Sequence, residues 1–134
     1  MNRTFLLAAV TALATGAALA APNNEPLTAE VMRKELFGVR LTGIVLQTGT
    51  PWSECIEPNG RTLYRIEGGA REGRLTITDE AQACFTYPET GTSCFRGQRS
   101  PRGYLFYSVG GGATFSVTDV ERGVKECVAS DFVS

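Results

Sequence analysis

Residues 74–96 read RLTITDEAQACFTYPETGTSCFR. From Arg74 to Thr78 the residue types alternate, with Leu75 and Ile77 on one face and Arg74, Thr76 and Thr78 on the other, which is the period of a half-buried strand. Asp79-Glu80 turns the chain into a second β-rich run, Ala83 to Tyr87. Pro88 to Gly91 turns it again into Ser93 to Arg96, with the residue types that tight turns select. Cys84 and Cys94 stand equally far from residue 89, the centre of that turn. Opposed positions of an antiparallel hairpin come close enough for a disulfide. The stretch is therefore an antiparallel meander stapled across its second hairpin.

The same texture extends in both directions. Upstream, Val39 to Gln47 reads as a strand bent at Gly43, and Arg61 to Glu67 as another, introduced by the turn Pro58-Asn59-Gly60. Downstream, Tyr104 to Val109 and Thr114 to Val120 are joined by Gly110-Gly111-Gly112. Leu27 to Phe37 has a helical pattern, with Thr28 as cap, Glu30 in the first turn and Arg33 and Lys34 towards the end. Leu27 and Met32 have the spacing of a hydrophobic staple, and Gly38 supplies the stop. The predicted fold is mainly β: an antiparallel meander of about seven strands curled into a small barrel or half-barrel, with one short N-terminal α-helix. Curling removes the exposed edges of a long meander. A flat sheet covered by the helix is the second choice.

Asn59-Gly60-Arg61-Thr62-x-Tyr64, then Glu72 to Ile77, Ala83-Cys84-Phe85-x-Tyr87, Ser93-Cys94-Phe95 and Gly103-Tyr104-x-Phe106 together resemble a family of small exported bacterial disulfide-bonded β proteins of uncharacterised function. The likeness covers Asn59 to Phe106, with Leu75 where that family commonly has Trp. It implies an exported, disulfide-bonded β domain and brings no catalytic residues.

The N-terminus agrees with export. Met1 to Thr4 carries one positive charge, Phe5 to Thr15 is apolar, and Ala18-Leu19-Ala20 gives the small-x-small pattern of a cleavage site. Cutting is expected between Ala20 and Ala21. The apolar stretch ends at Ala20 and is shorter than the roughly 20 apolar residues of a spanning helix. The expected organisation is a signal peptide over 1–20, a loose leader over 21–26 and one domain over 27–134, placed in the periplasm or secreted. With Arg3 removed, 12 basic and 14 acidic residues remain, a net charge of −2. That balance disfavours nucleic acid or an anionic membrane as partner. In an exported chain the four cysteines read as two disulfides. If Cys84 pairs with Cys94, Cys55 pairs with Cys127. With no histidine and no C-x-x-C pair in the chain, neither a metal site nor a cofactor site is expected.

Candidate sites are few. Without histidine the common Ser-His-Asp and Cys-His machineries are excluded. Glu54 with Glu57, and Asp79 with Glu80, are carboxylate pairs close in sequence and assigned to turns, whereas a glycosidase needs two carboxyls facing across a cleft. No enzyme activity is expected. Arg96, Arg99 and Arg102 in a connecting loop are suited to forked hydrogen bonds with an anion, or simply to keeping a loop soluble. Trp52, placed in a loop over 49–56, is a partner anchor if exposed and a lid on the core if packed. Gly110 to Gly112 and Gly68-Gly69 read as turns.

Of Phe85, Tyr87, Phe95, Tyr104, Phe106, Tyr107 and Phe115, alternate ones are expected to fill a closed interior rather than line a cavity, and the rest to sit on the outer face or under the helix. The functional expectation is a non-enzymatic binding module. It would contact a protein or envelope component through Arg96, Arg99, Arg102 and Trp52, with inhibition of an envelope-attacking enzyme as a special case. A small-ligand carrier with a barrel cavity is the alternative.

Overall fold

A computed structural model describes residues 10–12 and 24–129 of the 134-residue chain. The expected cleavage point between Ala20 and Ala21, and nearly all of the expected signal, lie outside the described residues.

Eight antiparallel strands form a closed barrel in simple sequence order. They are β1 (Val39–Val45), β2 (Pro51–Ile56), β3 (Arg61–Ile66), β4 (Gly69–Ile77), β5 (Ala83–Tyr87), β6 (Gly91–Ser100), β7 (Gly103–Ser108) and β8 (Thr114–Arg122). Pairing of β8 with β1, from Phe115↔Val45 to Arg122↔Val39 across a register shift at Thr42/Gly43, closes the ring. Gly43 permits that seam: a Cβ there would lie 1.8 Å from the Ser116 carbonyl oxygen. The sequence indicated about seven strands. The eighth is β2, expected as a loop because it is short and opens on Pro51; Trp52, Glu54 and Ile56 all turn inward from it.

The helix, α1 (Ala29–Glu35), is shorter at both ends than expected. Its Thr28 cap accepts a hydrogen bond from the Val31 amide at 3.1 Å. Met32 and Leu36 are fully buried, and with Leu27 they belong to the same core as Val39, Ile56, Leu75 and Tyr104. These wall residues lie where β1, β3, β5 and β7 begin or β2, β4, β6 and β8 end, so α1 plugs that end of the barrel.

Ionic ties hold it there. Glu35 receives Arg99 Nη1 and Nη2 at 3.1 and 2.7 Å and the Tyr104 hydroxyl at 2.8 Å. Arg33 reaches Asp79 beyond β4 at 2.7 Å. The leader is docked from Asn24 onward rather than loose. It bonds to Gly97 and Arg99 of β6, on the side that β5 leaves unpaired.

The disulfides join Cys84 to Cys94 across the β5–β6 hairpin and Cys55 of β2 to Cys127 of the C-terminal tail. Outside the wall, Cys55, Leu63 and Cys127 make a small second core. Glu57 clamps the tail beside it, accepting from the Cys127 amide at 2.8 Å and from Arg61 Nη1 at 2.6 Å.

Candidate functional site

The plugged end is packed and the other is not. The packed end is filled mostly by aliphatic side chains with Tyr104, and most of the other large aromatics line open space, against the expectation of a filled core. That space is a cavity of about 250 Å³. It opens between the β1–β2, β3–β4, β5–β6 and β7–β8 turns. Its walls are aromatic: Trp52 meets Phe115 edge-on at 5.3 Å, Phe115 meets Phe95 at 5.4 Å, and Phe95 meets Phe85 at 6.1 Å. Edge-to-face contact is the geometry that the ring quadrupoles favour. Leu41 and Phe106 complete the apolar wall.

One carboxyl interrupts this lining. Glu54 of β2 is 3 % exposed, and the Tyr87 hydroxyl lies 2.9 Å from both of its oxygens. Burial raises the Glu54 carboxyl to about 8, and the neighbouring Thr62 and Tyr87 hydroxyls offset only part of that rise. Glu54 is thus largely a neutral acid at pH 7. Burial, reinforced by Glu54, also pushes the Tyr64 phenol up to about 12 and raises that of Tyr87. All three side chains are therefore uncharged in neutral solution.

The register explains how they meet. Glu54 pairs with Tyr64 across β2–β3, and Tyr64 with Arg71 across β3–β4, so the three share one inward row. Tyr87 comes from β5, three strands from Glu54, and its ring crosses β4 at Gly73. A Cβ on Gly73 would sit 2.5 Å from the ring. Tyr64 and Tyr87 then meet as a tilted pair, ring centroids 5.8 Å apart, beside the carboxyl that Tyr87 contacts. Arg71 is exposed at the mouth, with Thr90 and Ser93 beside it, and it has no ion-pair or hydrogen-bond partner among the described residues.

Several of the candidate residues occupy other places than their sequence context suggests. Trp52 is a buried strand residue, 6 % exposed, and its indole Nε1 has no hydrogen-bond acceptor among the described residues. Arg96 and Arg99 belong to β6 rather than to a loop. Their odd separation puts them on opposite faces, with Arg99 committed to Glu35 and Arg96 exposed; Arg102 lies in the β6–β7 turn. The three do not converge. Glu54 and Glu57 are not solvated loop acids, and they do not face each other: one lines the interior and the other clamps the tail. Asp79 is tied to Arg33 at the plugged end. Gly110 to Gly112 form the β7–β8 turn, all at positive φ.

No protein-family model, curated protein or solved structure matches the chain. Among the described residues no helix is long and apolar enough to cross a membrane, and no cluster of His, Cys, Asp and Glu is arranged to hold a metal ion.

Glu54 is the residue whose place in the site the sequence left unrecognised. The signal was present: Trp52, Glu54 and Ile56 recur at every second position, which on a strand places all three on one face.

Proposed function

We propose that this chain is an exported, non-enzymatic barrel that binds a small, largely apolar molecule in its open half. The observation that carries the reading is the aromatic cavity with one polar pair at its wall, the buried Glu54 and the half-buried Tyr87. Concave apolar sites with a few fixed polar groups are the usual form of a small-molecule site. A dry cavity of about 150 Å³ accommodates benzene, so about 250 Å³ suits one substituted ring or an equivalent short chain. Two disulfides fit an oxidising compartment such as the periplasm or the exterior. Docking on a protein or envelope component through Arg96, Arg99, Arg102 and Trp52 has less support, since Arg99 and Trp52 are engaged within the fold.

Trp52 is the only tryptophan of the chain and lines the cavity, so its emission reports occupancy. Titration with 2-phenylethanol should shift that emission and raise the melting temperature as saturation is approached. Ser93→Phe, which puts a ring into the mouth, should abolish the shift and leave the unliganded melting temperature within a few degrees. Unchanged emission and melting temperature across a panel of single-ring and short-chain compounds would overturn the reading.

A further inference from the structure

We infer that the cavity takes a small organic monocation, an ammonium group on an apolar body, which enters in exchange for the proton on Glu54. This rests on the ligand-binding reading above and adds the chemical class of the ligand.

Three features of the site point to positive charge. Glu54 is a buried carboxyl without an ion-pair partner among the described residues; its hydrogen bonds come from the neutral Tyr87 hydroxyl. A buried carboxyl gains its full interaction only when a cation reaches it. The surrounding wall includes the rings of Trp52, Phe85, Phe95 and Phe115, and the negative face of an aromatic ring attracts an ammonium and disfavours an anion. Among the described residues the only basic one at the cavity is Arg71. It is separated from Glu54 by Tyr64 in the same row, about 10 Å away at the Cα level from the strand spacing, and its exposed guanidinium is screened by water.

The exchange balances. The Glu54 O–H bond breaks and its proton passes to solvent, while an ammonium N–H donates to the carboxylate that remains. One positive charge enters as one leaves, and the single carboxyl limits the ligand to one charge.

No other group titrates in the way. Tyr64 faces Glu54 from β3 and Tyr87 from β5, and both stay protonated well above neutrality. Arg71 lies beyond Tyr64 on β4. The cavity residues from β1, β6, β7 and β8 are Leu41, Ser93, Phe95, Phe106 and Phe115, none of which titrates.

The experiment is calorimetric titration of the disulfide-bonded protein with phenethylamine and with 2-phenylethanol, its neutral counterpart, from pH 6 to 9. Buffers of different ionisation enthalpy count the protons released. Phenethylamine should bind about tenfold more tightly for each unit by which the pH rises from 6 towards 8, releasing close to one proton at pH 6. The alcohol should show no such rise. Glu54→Gln should weaken the amine roughly a hundredfold at pH 8 and abolish its pH dependence while weakening the alcohol far less, and an unchanged Trp52 emission of the unliganded variant reports an intact cavity. Amine binding without proton release, or equally tight in Glu54→Gln, overturns the inference. Alcohol binding with no amine binding overturns it and leaves the cavity reading standing; failure of both ligands overturns both.

Discussion

At the scale of single residues, the site depends on a side chain that is missing. Tyr87 reaches Glu54 only because Gly73 leaves the surface of β4 clear. A Cβ there would meet the ring at 2.5 Å and the Thr86 carbonyl oxygen at 2.6 Å. The second contact is backbone, so a rotamer change of Tyr87 cannot relieve it. Gly73→Ala should destabilise the protein by about 1–3 kcal/mol and detach Tyr87 from Glu54. Urea unfolding would measure the first, and an altered Trp52 emission the second.

Glu54 also makes stability depend on pH. Its carboxyl titrates near 4.5 in the unfolded chain and at about 8 in the fold. Between those values the folded state binds more protons, so stability falls as pH rises, by about 3 kcal/mol between pH 5 and 8. Glu57, held low by the Cys127 amide and by Arg61, and Glu35, held low chiefly by Arg99, act in the opposite sense. Their contribution is present above the ordinary carboxylate range and is lost as pH falls through it. Stability should therefore peak near pH 5. Glu54→Gln should remove the alkaline decline and be the more stable protein at pH 8; a wild-type melting temperature that is flat from pH 5 to 8 would contradict this assignment.

At the scale of elements, the legible parts of the sequence were those whose local pattern had a single reading. Arg74 to Thr78 alternates without interruption, and PETG between two cysteines admits little but a hairpin. The obscure parts were those whose role is set by partners distant in sequence. In β2, Pro51 and the charged Glu54 broke the appearance of a strand. What makes it one is pairing with β1 on one side and β3 on the other. Likewise Arg96 to Arg102 has the composition of a loop, yet β6 runs to Ser100 because β7 and the leader cover its two edges. No local signal couples Arg99 to Glu35, which are 64 positions apart.

The consequence is a ranking. Arg99→Ala should cost about 1 kcal/mol, discounted for its partial exposure. Arg96→Ala and Arg102→Ala should each stay within about 0.5 kcal/mol of wild type. Leu36→Ala, which empties the centre of the plug, should cost about 2–5 kcal/mol. Thermal denaturation of the four variants tests the order, and equal losses at the three arginines would refute the placement of Arg99.

At the scale of the whole molecule, a closed barrel with one end plugged and one end open needs a wall that keeps its shape around an unfilled space. The β ladder supplies most of this, since closure leaves no edge to fray. The two disulfides add unequal amounts. Cys84–Cys94 closes a loop of separation 10 around a hairpin that its own ladder already aligns. Cys55–Cys127 spans 72 positions and ties β2, the strand that carries Trp52 and Glu54, to a tail with no strand of its own among the described residues. Chain entropy alone assigns the short loop about 3 kcal/mol and the long one about 4 kcal/mol. Losing the long link also frees the Cys127 amide from Glu57 and uncovers Leu63. Replacing Cys55 and Cys127 by serine should therefore destabilise the protein more than replacing Cys84 and Cys94, and it should weaken occupancy of the cavity, because β2 forms one wall of it. Denaturant unfolding and Trp52 titration of the two double variants measure these effects separately. A greater loss from the hairpin pair would mean that the β5–β6 ladder depends on its staple, and that the barrel is held from that side instead.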